Sequence, residues 1–252
     1  MVDYLAIILA LLGLLGIYYL ARILRRVNKK LNTIVSIEKD IRQNTKELEK
    51  SIRQSYRQGE AFAQLFSLVK FDSPLPPTRN WAASPDLLLT LHHYARTTSP
   101  QVILDLGSGL STLVLAKSAP AAKVISIDNS AEFAAKTAQL LLDHKITNVD
   151  IRVAPLEPHS SGVDWYQLSA LSGVNQIDLL FIDGPPGSKN PVARHPAFHE
   201  CLQLLSPRAI VVIDDVGRDG ERDMAEKFAA SLPNHRLEIL SHEKGTAVLL
   251  PR

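Results

Sequence analysis

Cysteine is almost absent from this sequence, and proline and glycine are missing from one long stretch near its start. The single cysteine, Cys201, excludes a disulfide within the chain and fits a reducing compartment. It lies in an apolar pattern typical of a helix, so we interpret it as a small buried residue. The 252 residues are 46% hydrophobic and 21% charged, which excludes a disordered protein and suffices for one full-sized core with an appendage.

Excess charge is also scarce, since the net charge of the chain is only +2. Residues 1–60 contain 11 Lys or Arg against 6 Asp or Glu, which leaves the remainder of the chain negative by three charges. A globular part with that balance is not expected to bind nucleic acid.

Charged residues are missing altogether from Tyr4 to Ala21, a run of 18 mostly apolar residues. At about 1.5 Å per residue, such a helix crosses a hydrocarbon core of about 30 Å, so we predict a single membrane span. A cleaved signal peptide would carry basic residues before the run, where only Asp3 stands. Basic residues follow it instead, at Arg22, Arg25, Arg26, Lys29 and Lys30. The positive-inside rule then predicts an inner-membrane protein with its carboxyl-terminal part in the cytoplasm.

Residues 27–57 are polar and lack proline and glycine, which predicts a long helix that ends at Gly59. Its apolar residues recur at three- and four-residue steps, at Leu31, Ile34, Ile41, Leu48 and Ile52. Two interpretations stay open. The stripe can pair with a second copy in a homodimeric coiled coil, although Glu38 and Thr45 interrupt it, or the stalk can lie solvated with its basic face on anionic lipid.

We divide the chain into four parts on these patterns. They are an anchor at 1–26, a stalk at 27–59, an amphipathic and cap segment at 60–99, and a folded domain at 100–252. The amphipathic stretch from Ala61 to Phe71 can dock on the domain or dip into the membrane interface.

The strongest motif lies at the start of the folded domain. A buried strand of branched residues ends in Asp105, turns through Gly107 and Gly109, and continues as an apolar helix. Glycine lets the backbone approach a ligand, and the free N–H groups of the first helical turn face the same place. A second strand ends in Asp128, 23 residues after Asp105, about where an acid meets ribose hydroxyls in doubly wound folds. The pattern predicts a ligand that contains a ribose and a cationic group.

These residues resemble the first two motifs of class I S-adenosylmethionine-dependent methyltransferases, in particular bacterial proteins with a Gly-Ser-Gly-x-Ser-Thr loop. The resemblance extends from about Ser73 to Arg252. It implies that Asp105 and the glycine loop hold the methionine moiety of S-adenosylmethionine, and that Asp128 holds its ribose. The cofactor-binding residues that it implies are Asp105, Gly107, Ser108, Gly109, Ser111, Thr112, Asp128 and Asn129.

Two other functions compete with methyl transfer. An NAD(P)-dependent oxidoreductase would place a pyrophosphate on the glycine turn, where the carboxylate of Asp105 repels it. A catalytically inactive scaffold, tethered by the stalk, would keep the fold without a ligand.

Acids also end the next two predicted strands. Asp183 follows one of them, and Asp214 and Asp215 follow the other. Strand tips of this kind form the ligand crevice of an α/β sheet, and three carboxylates there repel one another unless a cation or protons intervene. We therefore predict a Mg²⁺ site at Asp183, Asp214 and Asp215. The alternative is that Asp214 and Asp215 cap the following helix around Glu221.

The three acids are similar to the metal ligands of catechol-type O-methyltransferases, which have two Asp and one Asn at these positions. Asp215 stands here in place of the Asn, and Pro186 stands where a lysine base is expected. The candidate catalytic residues are therefore Asp183 and two residues of the following loop, Lys189 and His195.

The resemblance implies that Arg79 and Trp81, in a proline-rich entrance segment, lie over the cofactor. The fold that we predict is α/β, a doubly wound Rossmann-like sheet of seven strands whose last strand is antiparallel. We also predict a short helix from Asp164 to Leu171. The predicted function is a membrane-anchored methyltransferase that uses S-adenosylmethionine to methylate an oxygen of a small or lipid-linked acceptor.

Overall fold

Short apolar runs that alternate with helix-forming segments give this chain an α/β fold. The computed structural model describes residues 2–78, 81–187 and 190–252, with side chains from Tyr4 onward. Its helices are α1 (Val2–Leu68), α2 (Pro85–Thr98), α3 (Leu110–Ser118), α4 (Ala131–Asp143), α5 (Pro196–Cys201) and α6 (Asp219–Ser231). Its strands are β1 (Val102–Leu106), β2 (Lys123–Asp128), β3 (Val149–Val153), β4 (Leu156–Pro158), β5 (Asp164–Tyr166), β6 (Ile177–Ile182), β7 (Leu205–Asp214), β8 (His235–Leu240) and β9 (Thr246–Pro251).

Seven of these strands form one sheet in the order β3-β2-β1-β6-β7-β9-β8. Neighbours are parallel from β3 to β7, whereas β9 is antiparallel to both β7 and β8. β1 and β6 are almost wholly buried, because helices cover both faces of the sheet. The predicted seven-stranded sheet with an antiparallel last strand is confirmed.

Two apolar clusters lie on opposite faces of this sheet. One includes Leu88 of α2 and Val114 of α3, and the other includes Phe228 of α6 and Cys201 of α5. Cys201 is fully buried, and burial raises the pKa of its thiol, which agrees with its interpretation as a core residue.

The prediction of a helix from Asp164 to Leu171 was wrong in its first half. Asp164–Tyr166 forms β5, which pairs with β4 in a separate antiparallel ribbon, and only Leu168–Leu171 turns as a 3₁₀ helix. Trp165 and Tyr166 are both buried, so the packing of two aromatic side chains determines the local structure here.

The chain forms two compact units, Met1–Ser55 and Tyr56–Arg252. The predicted helix end at Gly59 was also wrong, since α1 continues to Leu68. A glycine inside a helix costs only about 1 kcal/mol relative to alanine. The burial of Leu65 and Val69 in the core of the second unit offsets that cost. In the first unit, α1 contains a stretch long and apolar enough to cross a membrane, with a mean hydropathy of 2.3.

Within the second unit, the end of α1 is fastened to the turn between β8 and β9. Arg57 Nη2 donates to the Ser241 carbonyl at 3.0 Å, and Gln58 Nε2 donates to Asp86 Oδ2 at 2.7 Å. The same Asp86 oxygen accepts the backbone N–H of Glu243 at 3.1 Å. Asp86 therefore joins α1 to the turn that precedes β9.

Candidate active site

The carboxyl ends of the parallel strands surround a cavity of about 370 Å³. This is where ligands bind in open α/β sheets, and the volume lies in the range of small-molecule sites. Six of the predicted cofactor residues line it: Gly107, Ser108, Gly109, Ser111, Asp128 and Asn129. Asp183 and Asp215 line it as well. The structure thus brings the predicted cofactor loop and part of the predicted acidic cluster to one cavity.

Gly107 brings the loop after β1 directly against the end of β6. Its φ is +112°, a conformation that favours glycine, and a Cβ there would lie 3.2 Å from the Gly184 nitrogen. Any side chain at this position would separate the loop from β6. The glycine therefore keeps the predicted cofactor loop next to the backbone of Asp183 and Gly184.

Asp128 fixes the loop from the end of β2. Its Oδ2 accepts the Ser108 N–H at 3.1 Å and the Ser108 hydroxyl at 2.6 Å, while Oδ1 accepts the Ser130 N–H at 2.8 Å. Its side chain remains at the cavity wall. A carboxylate has about four acceptor positions, so these three bonds leave capacity for one ligand hydroxyl.

Asp105 does not line the cavity, and neither does Thr112. The carboxylate of Asp105 is fully buried beneath the loop, where Oδ2 accepts the Thr112 hydroxyl at 2.6 Å and Ser111 Oγ lies at 3.4 Å. Oδ1 has no hydrogen-bond partner among the described residues. The structure thus places the side chains of Asp105 and Thr112 beneath the loop and not among the cavity residues, and their predicted contact with a cofactor stays a prediction.

Burial gives Asp105 an altered protonation equilibrium. Desolvation raises its pKa to about 7, against the opposing effect of the Thr112 and Ser111 hydroxyls. The folded protein then holds a proton that an unfolded chain releases near pH 4. The stability from this proton is complete below about pH 4 and is lost as the pH rises to about 7.

We therefore expect Asp105→Asn to flatten the pH dependence of folding stability. Between pH 4 and pH 8 the free energy of unfolding of the wild type should fall by about 3 kcal/mol more than that of the variant, because asparagine stays neutral throughout. Urea unfolding of the full-length chain at several pH values measures this difference. Other acids titrate equally in both proteins, so parallel stability curves would contradict the assignment.

Three carboxylates do converge at the ends of β6 and β7, as the sequence predicted. Oxygen atoms of Asp183, Asp214 and Asp215 all lie within 4.8 Å of one another. Asp214 is 1% exposed, and both its carboxylate oxygens lack hydrogen-bond partners in the described part of the chain. Burial, and next the charge of Asp215, raise the pKa of Asp214 to about 6. The alternative role of Asp214 and Asp215 as helix caps is not observed, because the residue that precedes α6 is Arg218.

Arg194 lies among these carboxylates, and the sequence analysis did not assign it a role. Its Nη2 donates at 3.0 Å both to Asp183 Oδ1 and to Asp215 Oδ2. Its other nitrogens donate at 3.3 Å to the carbonyls of Pro185 and Asp214. The guanidinium therefore compensates part of the negative charge of this cluster, and it bridges two of the carboxylates.

Asp183 combines burial with access to the cavity. Burial, followed by the charge of Asp214, holds its pKa well above the usual range, while the Arg194 guanidinium opposes this shift. A carboxylate with a raised pKa is a stronger base than an ordinary aspartate. Asp183 is thus suited to accept a proton from a group in the cavity.

The structure does not bring His195 to the cavity. Its Nε2 lies 2.9 Å from the Gly220 carbonyl and 3.5 Å from Asp223 Oδ2, at the start of α6. The catalytic role of His195 stays a prediction, and this placement does not support it. Lys189, the other predicted catalytic residue of this loop, and Arg79 lie outside the described residues.

Several cavity residues had no assigned role in the sequence analysis. Tyr166 lines the cavity from β5, and its hydroxyl lies where a Cβ on Gly184 would be. Lys244 and Arg218 add two cations, and Lys244 Nζ donates to the Ala82 carbonyl at 3.2 Å. Their positions depend on short turns far apart in the sequence, which carry no local motif.

Two exposed aromatic side chains also border the cavity. Trp81, as predicted, lies at its wall and is 64% exposed, and Phe133 of α4 is 50% exposed. Large apolar side chains that remain exposed beside a cavity are typical of ligand contact.

Most of the residues that line this cavity lie in a part of the chain that matches a known domain family. Residues 104–216 match a family model described as a methyltransferase domain. No curated protein matches the chain.

Solved structures share the fold at low sequence identity. A methyltransferase of Podospora anserina, bound to S-adenosylhomocysteine, is 19% identical, with a TM-score of 0.57 over 81% of this chain and 96% of that one. An O-methyltransferase of Bacillus cereus, in complex with S-adenosylhomocysteine, is 16% identical, with a TM-score of 0.53 over 77% and 90%. A methyltransferase of Geobacter sulfurreducens is 18% identical, with a TM-score of 0.51 over 66% and 78%.

Proposed function

We propose that this chain is an S-adenosylmethionine-dependent methyltransferase that methylates an oxygen of a small or membrane-associated acceptor. The match of residues 104–216 to a methyltransferase domain model supports this class. The observation that carries the proposal is the shared cavity. Its wall presents the loop of Gly107 and the carboxylate of Asp128 beside Asp183. A cofactor site and a proton acceptor therefore border the same space.

The cavity residues fit S-adenosylmethionine. Asp128 has acceptor capacity for one ribose hydroxyl, and Gly107 brings the backbone of its loop to the cavity wall without a side chain. Phe133 and Trp81 offer apolar surface for an aromatic ring. When bound, S-adenosylmethionine supplies an electrophilic methyl group on a sulfonium.

Asp183 would act on the acceptor. Its carboxylate would take the hydroxyl proton of the acceptor as the acceptor oxygen is methylated. Arg194 holds Asp183 Oδ1 in place at 3.0 Å, and Tyr166 and Pro186 border the same space. The chain thus contributes alignment of the two reactants and removal of one proton.

Titration calorimetry of the full-length chain tests the cofactor assignment. S-adenosylhomocysteine should bind, whereas NAD⁺ and NADP⁺ should not. Binding of a dinucleotide alone would favour an oxidoreductase, and binding of none of the three would favour a scaffold. Lipids and glycans from cells with and without the protein, compared by mass spectrometry, should differ by one methylene in the acceptor.

The proposal includes membrane anchoring through residues 4–21. Large apolar side chains of this segment, such as Leu5, Leu12 and Leu15, are about 60–70% exposed and need an apolar surrounding. Five basic residues follow the segment directly. Both observations support a single span with the methyltransferase domain in the cytoplasm, where S-adenosylmethionine is available.

We expect a protease-sensitive tag after Arg252 to be protected when protease is added to intact spheroplasts. The five cations near the span favour the cytoplasmic side. The same tag placed before the span serves as the control and should be digested. Digestion of the carboxyl-terminal tag from outside would refute the orientation.

The homodimer through the stalk stays a prediction. Its apolar stripe is exposed, with Leu31 at 55%, Ile41 at 58% and Ile52 at 60%, so no residue of the described chain covers it. A second copy in the same membrane and a surface of anionic lipid both remain open as its partner.

A further inference from the structure

The three clustered carboxylates are ligands of the kind that hold a divalent cation. The space between them, where such an ion would lie, is taken by another group. Mg²⁺ requires oxygen ligands at about 2.0–2.1 Å in near-octahedral geometry. In this structure the oxygens of Asp183 and Asp215 that face each other are already bridged by a donor. Arg194 Nη2 lies 3.0 Å from each of them.

Arg194 is fixed in this position on several sides. Its side chain is 5% exposed, and its nitrogens also contact the Pro185 and Asp214 carbonyls. Glu221 Oε1 lies 3.7 Å from Arg194 Nε, so a fourth carboxylate faces the guanidinium. A planar group with five donors matches this set of acceptors.

A divalent ion and this guanidinium exclude each other. Both need the same two carboxylate oxygens, and two cations a few ångströms apart repel strongly in a buried site. Displacing Arg194 would leave a buried charge without its partners, which is costly in proteins.

We infer that Arg194 occupies the position of a divalent cation in this site, so that methyl transfer proceeds without a metal. Arg194 is then a positioning residue, which holds Asp183 and Asp215 together and orients Asp183 toward the cavity. The role of Asp183 in transfer rests on the proposed function. The competition between Arg194 and a divalent ion does not, and can be measured in the absence of cofactor and acceptor.

Mn²⁺ binding to the full-length chain, followed by electron paramagnetic resonance, tests this inference. The wild type should bind no Mn²⁺ at this cluster. Arg194→Met should bind one Mn²⁺, at least about tenfold more tightly than any wild-type site, because oxygen ligands suit this ion. The gained site should disappear in the Arg194→Met, Asp214→Asn double variant.

Two further variants separate competition from a general loss of structure. Arg194→Lys keeps the positive charge and should bind no Mn²⁺. Arg218→Met removes another contact to Asp215, at 3.0 Å, but leaves Arg194 in place, so it should bind none either. If Arg194→Met does not fold, Arg194→Gln replaces it, because glutamine is neutral and can still donate hydrogen bonds.

Mn²⁺ bound by the wild type at the three carboxylates would overturn the inference. So would a folded Arg194→Met protein that binds no Mn²⁺. Methyl transfer by the wild type should also survive EDTA unchanged, and a failure to detect any transfer would count against the proposed function and leave the Mn²⁺ result standing.

Discussion

Asp183→Asn should lower the rate of methyl transfer by about 10²–10⁴-fold, while S-adenosylhomocysteine binding changes by no more than about twofold. Asparagine keeps the size of the side chain and an acceptor for Arg194 but cannot take a proton at neutral pH. Transfer of labelled methyl groups to membrane lipids, at saturating S-adenosylmethionine, measures the rate. The wild-type rate should rise with pH as the raised pKa of Asp183 is passed.

Asp178→Asn is the matched control for this prediction. Asp178 lies near the start of β6, whereas Asp183 directly follows the end of this strand. The Oδ2 atom of Asp178 accepts the Gln101 N–H at 2.8 Å. The identical substitution there should leave the transfer rate within about twofold of the wild type. Equal rates for Asp183→Asn and Asp178→Asn would remove Asp183 from the chemistry.

Asp128→Ala should weaken S-adenosylhomocysteine binding by about 1.5–3 kcal/mol, or roughly 10- to 150-fold. The substitution removes a charged acceptor for the ribose. It also releases Ser108 and Ser130, whose N–H groups donate to the Asp128 carboxylate. Calorimetry on the full-length chain measures the change.

Two variants locate the origin of that loss. Ser108→Ala removes the hydroxyl bond to Asp128 and the acceptor of the Thr137 hydroxyl, but it keeps the Asp128 carboxylate, so it should cost much less affinity than Asp128→Ala. Asp143→Ala changes an exposed acid at the end of α4 and should have no effect. If Ser108→Ala weakens binding as much as Asp128→Ala, the carboxylate acts on the loop alone and does not contact the ribose.

The sequence was sufficient to predict the sheet and the acids at its edge. Asp128 and Asp183 stand at the carboxyl ends of mostly apolar strands, and parallel strands place these ends on one edge. The pattern could not say which of these acids reach the cavity. Asp105 is at the end of such a strand too, yet Ser111 and Thr112 of the next helix surround it with hydroxyls.

The arginine that compensates negative charge in the acidic cluster could not be predicted from a local sequence pattern. Arg194 and His195 are adjacent in a loop without a recognisable motif, but only Arg194 is directed into the cluster. That choice depends on contacts with residues up to 27 positions away, such as Glu221. Likewise, β5 became a strand through the packing of Trp165 and Tyr166, which outweighed a weak helical pattern.

The attachment of α1 to Asp86 sets a limit on how far the chain can be shortened. Gln58 and the backbone of Glu243 share one Asp86 oxygen, and the next residue, Lys244, borders the cavity together with Ala82. A water-soluble version cut at residue 60 would lack Arg57 and Gln58. It would lose their hydrogen bonds to Ser241 and Asp86, which hold the residues beside the cavity. The shortest chain suitable for crystallisation with cofactor therefore starts at or before Tyr56, inside the helix and not after it.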